Sequence, residues 1–177
     1  STARMLGIIA EARSHGVDVT TECYPYTAGA TRIESYLFSS WNDKPESEYQ
    51  KLQWSATGER LTKESFQRYR KQGGLVLIHA NTPEVVEAAV AHPSTIIASD
   101  GFDVYPGNGH PRSAGTFARV LGHHVRERGA LSLPEAIKKM TLMPAQRLEG
   151  RVPSMKRKGR LQTGADADIT LFDPARI

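Results

Sequence analysis

Two short apolar runs constrain the fold of this chain more than any other feature of its sequence. Leu75–His79 and Thr95–Ser99 are too short for ordinary helices, and each follows a segment with helical spacing of its apolar residues. Continuous apolar runs of this length are typical of parallel strands that helices bury on both faces. A third strand, at 17–24, follows an amphipathic helix predicted at 2–15. The sequence therefore predicts an α/β fold with parallel strands.

The rest of the chain divides into a long excursion, a helical region and a tail. Residues 30–60 are mostly polar around a few aromatic side chains, and we predict a functional loop there with one short helix at most. Further helices are predicted at 62–72, 83–91, 116–128, 132–140 and 144–148. In the first helix the residues expected to face the core are Met5, Ile8, Ile9 and Ala12. The tail from Gly159 alternates apolar and polar residues around a glycine turn, which indicates a β-hairpin-like end.

Length, composition and charge exclude several classes of protein. A complete (β/α)₈ barrel needs about 250 residues, so a chain of 177 residues can supply only part of one. No apolar run reaches the roughly 20 residues of a membrane span. The net charge is +4, and the basic residues are scattered along the chain. They do not form the basic stripe with aromatic partners that is typical of nucleic-acid binding.

The cysteine count and the first residues bear on the compartment and on the origin of the chain. Cys23 is the only cysteine, which rules out an internal disulfide and predicts a cytoplasmic location. The chain begins Ser-Thr-Ala-Arg, without a secretory signal pattern or an initiator Met, which predicts a piece of a longer chain.

Asp100 is the best candidate for a catalytic residue. It follows the apolar strand that ends at Ser99, and it precedes a glycine-rich loop. In parallel α/β folds, active sites are built at the carboxyl ends of the strands. A carboxylate there can bind a metal, or take a proton from water and pass it to a leaving amine. The alternative is that Asp-Gly is simply a turn at the end of the strand.

The loop after Asp100 carries two further candidates. Arg112 ends the sequence Gly-Asn-Gly-His-Pro-Arg, and its planar guanidinium matches the geometry of a carboxylate. His110 is a candidate ligand or hydrogen-bond donor, and its position before Pro111 also allows a role in shaping the loop. An ordinary surface loop with a solvated arginine is the alternative.

The other candidates give weaker signals. The six histidines include no His-x-His or His-x-x-x-His pair, so the sequence predicts no local metal site, although His79 ends a buried strand. Tyr24 and Tyr26 lie at a strand exit, where tyrosines either hydrogen-bond a substrate or plug the end of a barrel. Cys23 has no basic partner in the sequence, which favours a core position over a nucleophile.

Several of these segments together resemble the N-acyl-D-amino-acid deacylases (D-aminoacylases) of the amidohydrolase superfamily. The matching segments are 18–29, 97–101, 110–112, 115–122, 133–140, 144–147 and 159–173. The tail is found across the superfamily, whereas the combination of Tyr-Pro-Tyr-Thr-Ala-Gly, Ser-Asp-Gly and His-Pro-Arg is much more specific. The resemblance covers most of the chain except residues 38–60.

The resemblance implies a fold and a domain arrangement. Family members have a (β/α)₈ TIM barrel fold. They use zinc to hydrolyse the acyl amide of an N-acyl-D-amino acid. Residues 1–150 would then be the last strands and helices of the barrel, with an insertion at about 30–72. Residues 151–177 would be a short β tail that belongs to a small β-sandwich.

The resemblance also implies roles for individual residues. Asp100 would be the proton shuttle beside the metal, which also makes it a candidate metal contact. Arg112 would hold the α-carboxylate of an N-acyl-D-amino acid, and Tyr26 and His110 would help to bind that substrate. Arg32, in the excursion, suggests an acidic substrate such as N-acyl-D-glutamate.

The metal cage of the family has no counterpart in this sequence. The His-x-His of strand one, the bridging cysteine or acid, and the histidines of strands five and six are missing, and Cys23 lies on the wrong strand to substitute. We therefore expect zinc in the full-length enzyme, but neither zinc nor activity in this chain alone.

Two other functions stay open as alternatives. A cyclic amidohydrolase, of the hydantoinase or dihydroorotase type, shares the tail and the aspartate after strand eight. The second alternative is a non-catalytic chain that forms a homo-oligomer through exposed barrel edges. Neither a nucleic acid nor a membrane is expected as a partner.

Overall fold

The computed structural model describes residues 2–102 and 109–177, and these residues form two compact units. The first unit contains residues 2–25, 84–99 and 115–177. The second unit contains residues 26–83, 100–102 and 109–114. The chain therefore leaves the first unit and returns to it twice.

The sheet of the first unit is a parallel pair. β1 (Thr21–Cys23) pairs with β5 (Thr95–Ile97), and Glu22 lies opposite Ile96. This pairing confirms two of the three predicted parallel strands, although both are shorter than predicted. All three residues of β5 are buried, as expected of a strand that is covered on both faces.

Helices make up most of the first unit. They are α1 (Thr2–Ser14), α4 (Pro83–Ala91), α5 (Arg112–Arg119), α6 (Leu133–Met140) and α7 (Leu142–Leu148), and a π-helical segment (Val120–Glu127) continues α5. The first residue of α4 and the first three residues of α5 belong to the second unit. α6 begins at a capping box, since the Ser132 hydroxyl accepts from the Glu135 N–H and the Glu135 carboxylate accepts from the Ser132 N–H. The predicted inward face of α1 is partly wrong, because Met5 and Ile8 are more than half exposed and Leu6 is the buried residue.

Lys139 on α6 is buried in the first unit. Its ammonium donates to the carbonyl oxygens of Val90 at 2.9 Å, Thr95 at 3.3 Å and His92. These carbonyls lie at the carboxyl end of α4 and the start of β5, where helix geometry leaves acceptors unsatisfied. Nearby, burial raises the pKa of Cys23 to about 11 against the opposing effect of Lys139, which keeps the thiol protonated at neutral pH and fits a core residue.

The second unit contains a three-stranded antiparallel sheet. β4 (Leu75–His79) lies in the centre, with β2 (Ala28–Arg32) on one side and β3 (Leu52–Trp54) on the other. The prediction that Leu75–His79 is a parallel strand is therefore wrong. Its apolar run reflects a central position in a small sheet, and such a run carries no information on strand direction.

The excursion at 30–60 packs around aromatic side chains rather than forming an open loop. Phe66, on α3 (Lys63–Gln72), contacts the rings of Phe38, Trp41 and Tyr49, with centroid distances between 5.2 and 5.8 Å. Tyr49 ends the short helix α2 (Glu46–Tyr49). These residues give the second unit a core of its own.

The tail differs from the predicted β-hairpin. Residues 151–177 contain one short 3₁₀ helix (Pro153–Arg157) and no strand, and the apolar residues Leu161, Ile169 and Leu171 are largely exposed. A strand requires a partner for its ladder of hydrogen bonds, and no segment in the described part of the chain supplies one.

No helix within the described ranges has the length and apolar character to cross a bilayer.

His124 is buried, and we expect its protonation to lower the stability of the fold in acid. Neither ring nitrogen has a hydrogen-bond partner within the part of the chain that the structure describes, and burial, with help from His123, lowers the pKa of His124 from 6.5 to about 4. Because the unfolded chain binds the proton more readily, stability is complete above about pH 6.5 and falls as the pH drops towards 4. We expect a loss of up to about 3 kcal/mol in the free energy of unfolding over this range.

Urea unfolding at about pH 7 and about pH 4 measures this loss in the chain and in His124→Leu. The variant should lose the contribution of His124 to the difference between the two pH values, while His15→Leu, at an exposed histidine, should keep it. Equal pH dependence in the chain and in His124→Leu would contradict the assignment.

Candidate active site

Asp100 lies three residues beyond the end of β5, in an unusual backbone conformation. Its φ of 47° is the only positive value at a non-glycine residue within 2–102 and 109–177. Aspartate tolerates the left-handed region better than most residues do, at a cost of about 1 kcal/mol or more. The side chain is 66% exposed, so the carboxylate is open to solvent or to a ligand.

Arg112 at the start of α5 contacts this carboxylate. Its Nη2 lies 2.9 Å from Oδ2 of Asp100, although its own side chain is only 3% exposed. The same nitrogen is 3.5 Å from the carbonyl oxygen of Ala30, and the Phe102 ring centroid lies 5.1 Å from the guanidinium carbon. A buried cation needs such partners, and these contacts hold the positive charge of Arg112 beside the Asp100 carboxylate.

His110 is buried and uses both ring nitrogens on backbone groups. Nδ1 accepts from the Arg112 N–H at 3.0 Å, and Nε2 lies 2.9 Å from the carbonyl oxygen of Ala28. A backbone N–H only donates and a carbonyl only accepts, so the ring is neutral and carries its proton on Nε2. Burial lowers the pKa of His110, against the opposing effect of the bond to Ala28.

Tyr26 completes the group. Its ring packs edge-on against His110 at a centroid distance of 5.3 Å, and its hydroxyl donates to the Pro111 carbonyl at 3.4 Å. The structure thus links all four predicted site residues through direct contacts within the second unit.

Two serines that the sequence did not single out hold the residues around this group. The Ser55 hydroxyl accepts from the Gly109 N–H at 3.2 Å, and the Ser113 hydroxyl accepts from the Phe102 N–H at 3.2 Å. A serine in a polar stretch carries no local signal for such a bond. Only the folded neighbourhood reveals it.

The described residues do not fit a metal cage. No group of three or more His, Cys, Asp and Glu side chains within 2–102 and 109–177 is placed to hold a metal ion. The Nε2 of His79 lies 2.8 Å from Oε1 of Gln53, and both nitrogens of His110 face backbone partners. The side chain of Asp100 is open enough to contact a metal from elsewhere.

A groove of about 810 Å³ lies at the other end of the parallel strands of the first unit. Its lining includes Arg13, Asp18, Thr20, Ser94 and Arg147. Thr20 and Ser94 precede β1 and β5, so the groove lies at the amino ends of these strands. Active sites in parallel α/β folds lie at the carboxyl ends, which favours the group around Asp100 over this groove.

Comparison with known proteins identifies the family. The model of the amidohydrolase family matches residues 2–177, which is nearly the whole chain. The chain belongs to the amidohydrolase family.

Three proteins of Alcaligenes xylosoxydans xylosoxydans are similar in sequence. An N-acyl-D-glutamate deacylase is 33% identical over 182 residues, covering 97% of this chain and 36% of the relative. A D-aminoacylase is 32% identical over 170 residues, covering 90% of this chain and 33% of the relative. An N-acyl-D-aspartate deacylase is 43% identical over 94 residues, covering 52% of this chain and 17% of the relative.

Solved structures of the family share the fold of this chain. The N-acyl-D-glutamate deacylase of Bordetella bronchiseptica, complexed with zinc and a phosphonate mimic of the tetrahedral intermediate, matches with a TM-score of 0.75 and 28% identity. That match covers 98% of this chain and 37% of the relative. A D-aminoacylase structure matches with a TM-score of 0.74 and 28% identity over 98% of this chain and 36% of the relative. The chain thus spans about a third of the length of the glutamate deacylases and D-aminoacylases that it matches.

Proposed function

We propose that this chain is part of a zinc-dependent amidohydrolase that hydrolyses the acyl amide of N-acyl-D-amino acids. The contact between exposed Asp100 and buried Arg112 is the observation that carries the proposal. It places a proton acceptor beside a cation that suits a substrate carboxylate. The named activities of the similar proteins point to the same reaction.

In the proposed reaction, Asp100 moves the proton. Its carboxylate accepts a proton from the attacking water, whose oxygen forms a bond to the acyl carbon. The proton then passes to the amine nitrogen as the C–N bond breaks, and the products are a carboxylate and a free D-amino acid. Arg112 binds the α-carboxylate of the substrate, and Tyr26, on the other side of His110, helps to position it.

Zinc enters this proposal from the relatives and not from the described residues. When bound, zinc polarises the amide carbonyl and activates water. We propose that its ligands belong to parts of the enzyme outside this chain, within a (β/α)₈ barrel of which residues 1–150 are the last portion. We propose no step through the metal, because the described residues do not form its cage.

The side chain of the substrate is inferred from the similar proteins. We propose N-acyl-D-glutamate, on the similarity to a glutamate deacylase over nearly the whole chain. Arg32 adds little support, because its guanidinium already forms an ion pair with Glu34.

Assays of the complete enzyme that contains this chain test the proposal. N-acetyl-D-glutamate should be hydrolysed faster than N-acetyl-D-aspartate and N-acetyl-D-leucine, while the L-enantiomer and ring amides such as hydantoin should be poor substrates. Hydrolysis of ring amides alone would favour the cyclic amidohydrolase alternative.

Metal analysis of the 177-residue chain is the companion measurement. After dialysis against metal-free buffer we expect well under one zinc per chain, since the described residues lack a cage. About one zinc per chain would contradict the proposed location of the ligands. We further propose a cytoplasmic enzyme that self-associates, which sedimentation of the purified protein would test.

A further inference from the structure

We infer that His110 is a positioning residue, which fixes Arg112 against strand β2 so that the guanidinium faces Asp100. The inference rests on the proposed function and changes the expected role of His110 from a substrate contact to a support for Arg112.

The two hydrogen bonds of His110 join two separate parts of the second unit. Nδ1 accepts from the Arg112 N–H, one of the first-turn donors of α5 that have no partner within the helix. Nε2 donates to the carbonyl oxygen of Ala28, 82 residues earlier in the chain. The neutral ring therefore ties the start of α5 to β2.

β2 is suited to receive this segment because it is an edge strand. Among the described residues, the strand order β2-β4-β3 leaves one side of β2 without a neighbouring strand. The carbonyls of Ala28 and Ala30 are two residues apart, so both face the same side of the strand. Ala28 accepts from His110 and Ala30 accepts from the Arg112 guanidinium at 3.5 Å, so both bonds lie along this edge.

These contacts restrict both ends of Arg112. The backbone is held through His110, and the guanidinium is held through Ala30 and Asp100. Tyr26 packs edge-on against the His110 ring and limits its rotation. A direct contact of His110 with substrate or metal would break one of the two bonds and leave a buried polar group unsatisfied, at a cost of about 1–3 kcal/mol.

The test is a pair of variants of the complete enzyme. In His110→Asn the side-chain oxygen can still accept from the N–H two residues ahead, as in an Asx turn, whereas His110→Leu removes both bonds. We expect His110→Leu to raise KM for the N-acyl-D-amino acid about tenfold with a smaller change in kcat, as the loss of one or two hydrogen bonds implies. His110→Asn should recover most of this loss, and zinc content should stay at the level of the unchanged enzyme.

A double-variant cycle separates positioning from a purely structural role. If His110 acts through Arg112, its replacement should add little to the KM of Arg112→Lys, whereas independent roles would give multiplicative effects. Parameters of His110→Leu within about twofold of the parent, no recovery in His110→Asn, or loss of zinc would each overturn the inference.

A spectroscopic measurement stands apart from the activity. ¹⁵N NMR of the histidine rings in the parent protein should show His110 as the neutral tautomer with its proton on Nε2. The other tautomer or a rapidly averaging ring would contradict the inference. If the parent shows this tautomer but hydrolyses no N-acyl-D-amino acid, the proposed function fails while the geometry of His110 holds.

Discussion

Replacement of Asp100 by asparagine in the complete enzyme should lower kcat by about 10²–10⁴-fold, the usual contribution of a positioned general acid or base. The amide cannot take up the proton from water or deliver it to the leaving amine. Asparagine is preferable to alanine here because it also tolerates the left-handed backbone at this position, where φ is 47°. The change therefore isolates the chemistry from the strain.

Asp18→Asn is the matched control for this prediction. Asp18 is also an exposed aspartate in an ion pair with an arginine, 2.5 Å from Nη1 of Arg147, but it precedes β1 rather than following β5. We expect kcat of the control within about twofold of the parent, and equal zinc content in all three proteins. Turnover of Asp100→Asn within about tenfold of the parent would remove Asp100 from the mechanism.

The parts of the fold that could be predicted from the sequence are those with local causes. α3 begins one residue after Thr62 and α6 one residue after Ser132, because each cap is a hydrogen bond between residues three positions apart. The apolar runs likewise located β4 and β5, since burial leaves a local pattern. Helix caps and strand burial are therefore within reach of a single sequence.

Predictions from the sequence are wrong where a segment pairs or packs with a segment that is distant along the chain. β5 pairs in parallel with β1, whereas the equally apolar β4 is antiparallel to both of its neighbours. The sequence shows that a strand is buried but not which strand lies beside it. The aromatic partners of Phe66 could not be predicted for a similar reason, because they are spread over polar segments without a regular period.

The candidate site shows the same division. Asp100 could be predicted from its place after a buried strand, and Arg112 from the chemistry of its side chain. Their contact could not, because α5 begins at Arg112, four residues before the predicted start, where His110 accepts the N–H of its first turn. The other supports are backbone carbonyls of β2, and a carbonyl is present in every residue and so gives no signal in a sequence.

Because Arg112 pairs with Asp100, replacing Arg112 tests its effect on proton transfer as well as its contribution to substrate affinity. Arg112 donates to Asp100 through Nη2, so an incoming carboxylate must share the guanidinium with the catalytic residue or take its place. Arg112→Lys keeps the positive charge but loses the planar fork that binds a carboxylate through two nitrogens. We expect KM to rise about 10- to 100-fold with a smaller change in kcat, because loss of a charged hydrogen bond costs about 1.5–3 kcal/mol.

Arg128→Lys is the control for Arg112→Lys, because Arg128 contacts Glu87 through Nε at 2.9 Å and Nη2 at 3.5 Å on an exposed surface. It should leave both kinetic parameters unchanged, since exposed ion pairs contribute little. The opposite pattern in Arg112→Lys, a fall in kcat with KM unchanged, would mean that Arg112 orients Asp100 and does not hold the substrate. The carboxylate would then need another cation, and the guanidinium would act on the proton transfer through the position of Asp100.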